Sequence, residues 1–210
     1  MKRSRVMVIV AVLAGSLFLA GPLWSATGPL WEQKFTLPNC DTIWVEAVAA
    51  STNTCIVCGI AFDSTKATGD IGFIKGFDVA TGNLKWQDTL TTDADHNGFD
   101  SLAVVGNTVL VDGFSYSYNV DQNVYTVNQS TLRAYNADAT GGGTISPIWT
   151  VTQNTTPLNF GPPNLVTANN RVFVVRQEKG LGDPTGTGNC IVQAYEVGAP
   201  IVGATSLLME

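Results

Sequence analysis

The chain has 210 residues, 11 basic against 17 acidic, and a formal net charge of −6 with its one histidine neutral. That balance argues against nucleic acid and against anionic membrane surfaces as partners, because their phosphates would repel it. With 45% hydrophobic residues, the length suits one domain with a substantial core.

Lys2, Arg3 and Arg5 precede an uncharged apolar run from Val6 to Ala20, the order of an export signal. Residues 1–26 therefore read as a signal peptide, with small Ala26 at the cut, although Trp24 stands where a small residue is preferred. The alternative is an uncleaved anchor, since Val6 to Ala26 is 21 residues without a charge and long enough to span a bilayer. Removing Lys2, Arg3 and Arg5 leaves 8 basic against 17 acidic residues, so residues 27–210 carry −9. Export places the protein in a bacterial periplasm or outside the cell.

Beyond the signal, apolar residues recur with the period of two that marks strands, and no segment shows a helical stripe. Trp44–Ala49, Cys55–Phe62, Phe73–Val79 and Leu84–Leu90 read as four consecutive strands, with turns at Asn53 and at Thr81-Gly82-Asn83. Ser101–Val105, Thr108–Phe114, Thr131–Tyr135 and Pro147–Val151 repeat that order, with Gly106-Asn107 as a tight hairpin turn. A third pass gives Asn164–Ala168, Arg171–Gln177 and Cys190–Tyr195 around Asn169-Asn170. Leu30–Phe35, ahead of all of these, has the character of a fourth strand.

The spacing supports a repeat independently of composition. Trp31 to Trp86 is 55 residues and Trp86 to Trp149 is 63; Cys55, Val109 and Val172 are separated by 54 and 63. The aromatic positions Phe77, Tyr135 and Tyr195 lie 58 and 60 apart. Four antiparallel strands recurring at this interval are the signature of propeller blades. The reading is an all-β fold, a β-propeller of four-stranded antiparallel blades, about three in this chain: residues 43–90, 100–152 and 163–197, plus the strand 30–35.

Phe77-Asp78-Val79-Ala80-Thr81-Gly82-Asn83-Leu84-Lys85-Trp86 resembles the pyrroloquinoline-quinone-like repeat of bacterial quinoprotein-type propellers, whose consensus runs aromatic-Asp-x-x-Thr-Gly-x-x-x-Trp. The resemblance implies that Trp31, Trp86 and Trp149 dock one blade on the next and that Gly82 makes the tight turn. The second copy departs through the longer Thr140–Ser146 turn, and the third has no Trp after Glu196-Val197-Gly198. The family's alcohol dehydrogenases add a vicinal cysteine pair against the quinone and acidic residues that hold calcium. No two cysteines are adjacent here, so the expectation is no catalytic, cofactor-binding or metal-binding set, with PQQ and calcium as weak possibilities.

Cys55-Ile56-Val57-Cys58 has the spelling of a redox or metal motif, but on a strand residues three apart point to opposite faces. A disulfide is permitted by export, with Cys40 near the first hairpin and three pairings open among four cysteines. Asp93-Ala94-Asp95-His96-Asn97-Gly98-Phe99-Asp100 looks like the opening of a calcium loop, yet position twelve is Val104 and the closing carboxylate is missing. His96 reads as a solvated loop histidine. Phe114 to Tyr118 and the insertion Asn119–Gln129 read as a recognition loop, or as an extended hairpin.

A propeller removes its open strand edges only by closing, and three blades make too small a ring. Two solutions stay open: a head-to-tail homodimer that exchanges Leu30–Phe35 to complete a six-bladed ring, or a piece of a longer propeller. The functional expectation is a non-catalytic exported scaffold or binding surface for a protein or another envelope ligand. The rival is a PQQ-dependent alcohol or sugar dehydrogenase, or a fragment of one.

Overall fold

The computed structural model describes residues 29–65, 69–119, 124–154, 164–178 and 189–197. These form eleven strands and contain no helix: β1 (Thr42–Ala50), β2 (Thr54–Phe62), β3 (Ile71–Asp78), β4 (Leu84–Leu90), β5 (His96–Val105), β6 (Thr108–Asn119), β7 (Val124–Asn136), β8 (Trp149–Asn154), β9 (Asn164–Ala168), β10 (Arg171–Glu178) and β11 (Asn189–Glu196). They make three antiparallel sheets, β1-β2-β3-β4, β5-β6-β7-β8 and β9-β10-β11. Each sheet is a blade, and the chain is an all-β partial propeller. Inner strand β1 packs beside β5, and β5 beside β9, which orders the blades around a common side.

The repeat extends to single hydrogen bonds. The Val79, Ala137 and Val197 amides, each two residues after the aromatic position, donate to the carbonyls of Asn53, Asn107 and Asn170 at 3.2, 2.9 and 3.1 Å. Each bond ties the end of a third strand to the hairpin joining the first two. The left-handed backbone this hairpin needs falls on Gly106 (φ 57°) in the second blade and on Asn169 and Asn170 (φ 50° and 59°) in the third.

Asp78 makes the turn between β3 and β4 through its side chain. Its Oδ1 accepts from the amides of Ala80 and Thr81 at 3.1 and 2.8 Å and from the Thr81 hydroxyl at 2.9 Å. Those bonds, the Thr81 hydroxyl first, hold the Asp78 carboxyl below its ordinary range. Gly82 follows at φ +74°, and a Cβ there would stand 2.8 Å from the Trp31 ring, so glycine serves both the turn and the seat of the indole.

Two inner strands carry β-bulges at the same place. The β1–β2 register slips between Val45 and Ala47, and the β5–β6 register between Phe99 and Ser101, leaving Glu46 and Asp100 as the extra residues. Glycine stands opposite each slip because the bulged backbone crowds it. A Cβ on Gly59 would lie 1.9 Å from the Trp44 carbonyl oxygen, and one on Gly113 would lie 2.7 Å from the Phe99 ring.

The core lies between blades. Ile56, Cys58, Ile74, Trp86 and Leu90 of the first meet Phe99, Val109, Val111, Tyr135 and Ala137 of the second, all of them buried. Leu110, Leu132 and Ala134 of the second meet Val172, Val174, Tyr195 and Val197 of the third. On the other side of the first blade, Val57, Ala61, Phe73 and Phe77 are covered by Trp31, Phe35 and Leu37.

Several expectations need correction. Among the described residues no strand pairs with Leu30–Phe35, which has no strand geometry of its own; it packs on the first blade instead. The stretch 93–100 is not a loop throughout, since β5 starts at His96. The bulge at Asp100 interrupts the alternation that pointed to Ser101 as its start. Of the two readings of 114–129, the strands pair as an extended hairpin as far as Tyr118 opposite Tyr125 and Asn119 opposite Val124, with 120–123 outside the described residues. Cys55 and Cys58 are free, buried thiols. The signal 1–26, the Cys190 side chain and the tail after Val197 lie outside the described residues.

Candidate functional site

The tryptophans of the repeat sit at blade junctions. Trp86 is fully buried, its ring stacks on Tyr135 with centroids 5.7 Å apart, and its Nε1–H donates to the Ala137 carbonyl at 2.9 Å. Trp31 reproduces this one blade earlier, donating to the Val79 carbonyl at 2.7 Å, and Val79 is the residue that corresponds to Ala137. Trp149 is half-buried and packs against the core shared with Val197, the third member of that series. Gly76 lies under the Trp86 ring, where a Cβ would come within 2.4 Å of it. The indole supplies a large apolar area and a single polar atom that needs a partner, and the next blade offers both.

Polar bridges flank Trp86. Lys85 Nζ donates to Thr54 Oγ1 at 2.7 Å, and the Thr54 hydroxyl donates to the same Ala137 carbonyl at 2.7 Å. Lys85 also pairs with Asp138 at 3.3 Å. Asp88 of β4 accepts from the Tyr135 hydroxyl at 2.7 Å and from Arg133 Nη1 at 3.0 Å, with little of either charged side chain exposed. Burial, and then the Asp88 charge, push the Tyr135 phenol upward. The Gly-rich segment before β8 completes the seam: Gly142 and Ile145 amides donate to Lys85 and Gln87 carbonyls at 2.8 and 2.9 Å, and the Gln87 amide donates to the Gly143 carbonyl at 3.0 Å. This segment shields the outer edge of β4.

Among the described residues, the most strongly shifted carboxyl lies on an inner strand. Burial, then the charges of Glu46 and Asp112, raise the Asp100 carboxyl from 3.8 to about 7. Asp112 is itself buried, while Glu46 is exposed. Burial first, and then the charge of Asp100, push the Cys58 thiol upward. Asp100 is thus protonated more readily than an ordinary carboxyl. The sequence reading missed it because Asp100 was placed at the end of a loop; the signal available was Gly59 and Gly113, which mark the bulges.

His96 is not solvated. Its Nδ1 shares a 2.6 Å hydrogen bond with Asp70 Oδ2, and its ring stacks on Tyr116 with centroids 4.6 Å apart. Asn97 beside it is saturated: its oxygen accepts from Thr92 and Ser115, both at 2.8 Å, and its amide donates to the Asp70 and Ala94 carbonyls. Among the described residues no group of three or more His, Cys, Asp or Glu could hold a metal ion. Cys55 and Cys58 are both fully buried, with Cys58 in the core facing the second blade. They do not fit the vicinal pair that the resemblance associates with a quinone.

No protein-family model, curated protein or solved structure matches the chain. What fold and junctions define is a class: an all-β protein of repeated propeller-type blades, joined through buried tryptophan.

Proposed function

We propose that the chain is a PQQ-like propeller-repeat protein, exported to the periplasm or beyond, that acts as a non-catalytic scaffold or binding surface for an envelope or extracellular partner. The observation that carries this reading is where the repeat's chemistry is used. The Trp31 and Trp86 indoles are bonded to backbone carbonyls of the following blade, and the Asp78 carboxylate closes its own turn. The repeat's tryptophans are therefore engaged in holding blades together and its aspartate in shaping a turn.

Two assays test it. Incubation with PQQ and calcium, followed by dye-linked oxidation of alcohols and sugars, is expected to give no turnover; sustained turnover would replace this reading with a quinone-dependent dehydrogenase. Affinity capture from envelope extract is expected to retain a discrete partner that competes with added free protein. Consistent failure to retain any partner would remove the binding role.

A further inference from the structure

We propose that two copies of this chain close a single ring, each giving its Leu30–Phe35 segment as the fourth strand of the other's third blade. The inference rests on the blade architecture and not on the scaffold role. The segment 30–35 is anchored as a fourth strand would be, because Trp31 reaches Val79 as Trp86 reaches Ala137, and among the described residues no strand pairs with it. At the other end of the array β11 is a third strand, and among the described residues its only ladder partner is β10.

The backbone phases agree. The Gln87 amide and carbonyl point outward, to Gly143 and Ile145, so Trp86 and Asp88 point to β3. Carried to the same positions of the N-terminal segment, Trp31 and Gln33 would turn their amides toward the third strand that takes them up. In the third blade the Val197 amide points back to Asn170, so by alternation the Ala194 and Val192 amides turn to the free edge. Matching Trp86↔Gly76 and Asp88↔Ile74 gives Trp31↔Ala194 and Gln33↔Val192. An alanine fits opposite the tryptophan, since Ala134 pairs with Trp149 in the second blade.

The faces agree as well. Phe173 and Val192 hold the positions of Ile56 and Ile74, which the second blade buries completely in the first. In the third blade Val166 and Val192 are 56% and 40% exposed, and Phe173 is half-buried. The surface built to receive such a face is the back of a first blade, where Val48 remains 47% exposed beside the residues covered by Trp31 and Phe35. A second copy supplies that back and the missing strand together. Six blades in a twofold ring leave no open edge.

The test uses the full chain carrying Gln33→Cys with Val192→Cys. Directly opposed residues on antiparallel strands have Cα atoms about 5.5 Å apart when hydrogen-bonded, within disulfide range. The expected result is an interchain disulfide and a light-scattering mass twice that of the single chain, with neither single variant cross-linking alone and a mixture of the two doing so. A monomeric mass, an intrachain disulfide or an open series of oligomers would overturn the proposal. Gln33→Pro removes one amide of the pairing and leaves the Trp31 indole in place. It is expected to yield monomer with an unchanged near-ultraviolet tryptophan spectrum, and persistence of the dimer would count against the exchange. Should that variant fail to fold, the mixed single-cysteine experiment decides alone.

Discussion

Ile56, Ile74 and Trp86 on the forward face of the first blade are fully buried against the second, whereas Phe173 and Val192, at the corresponding positions on the third, stay half-buried and 40% exposed. The two faces carry similar residues in different surroundings. A blade therefore contributes an apolar face by virtue of its repeat position, and burial depends on whether a neighbour is supplied. Each large side chain moved between those states is worth about 1.5–3 kcal/mol, so most of the fold's stability resides in junctions and little in an isolated sheet.

The largest test of that contrast is Trp86→Ala, which deletes the centre of the first junction and leaves the Ala137 carbonyl with one donor fewer. A loss of about 3–5 kcal/mol is expected from urea unfolding. Asp88→Ala comes next, because it strands Arg133 and the Tyr135 hydroxyl in a nearly closed interface. It should cost about 2–3 kcal/mol, below the full value for a buried pair since both side chains keep some exposure.

Asp100→Asn reports on the inner strands and is pH-dependent. The unfolded carboxyl titrates near its ordinary value of 3.8 and the folded one at about 7, so between them the folded state holds a proton that the unfolded state has released. Stability should fall as pH rises through that window and level off above it. The Asn variant should match the parent below pH 4 and exceed it above pH 7, by on the order of 1–3 kcal/mol, checked by thermal melts across the range. The smallest effect is assigned to Trp31→Ala, which removes a half-buried copy of the same clamp. It should cost about 1–2 kcal/mol and accelerate proteolysis near the N-terminus.

Much of this was legible in the sequence. The strands announced themselves through alternation, and Asn53, Gly106-Asn107 and Asn169-Asn170 through turn chemistry, because both signals are local. The Trp spacing carried the blade order. The bulges were not legible as such: an extra residue such as Asp100 breaks the period of two, and only the glycine opposite it, 13 residues later at Gly113, betrays the cause. The Gly142–Ile145 seam on β4 was equally hidden, since the long turn looked like a defect until its partner edge was in view. The perturbed carboxyl at Asp100 and the His96–Asp70 pair depend on contacts between strands or blades that no single segment encodes.

The central claim is that the repeat tryptophan is a clamp between blades, and indole N–H exchange with solvent measures it directly. With the indole signals assigned by Trp→Phe substitutions, the Trp86 signal should exchange only on global unfolding, while that of Trp44, 57% exposed, should be lost at once. A Trp86 indole that exchanges as fast as Trp44 would contradict the account.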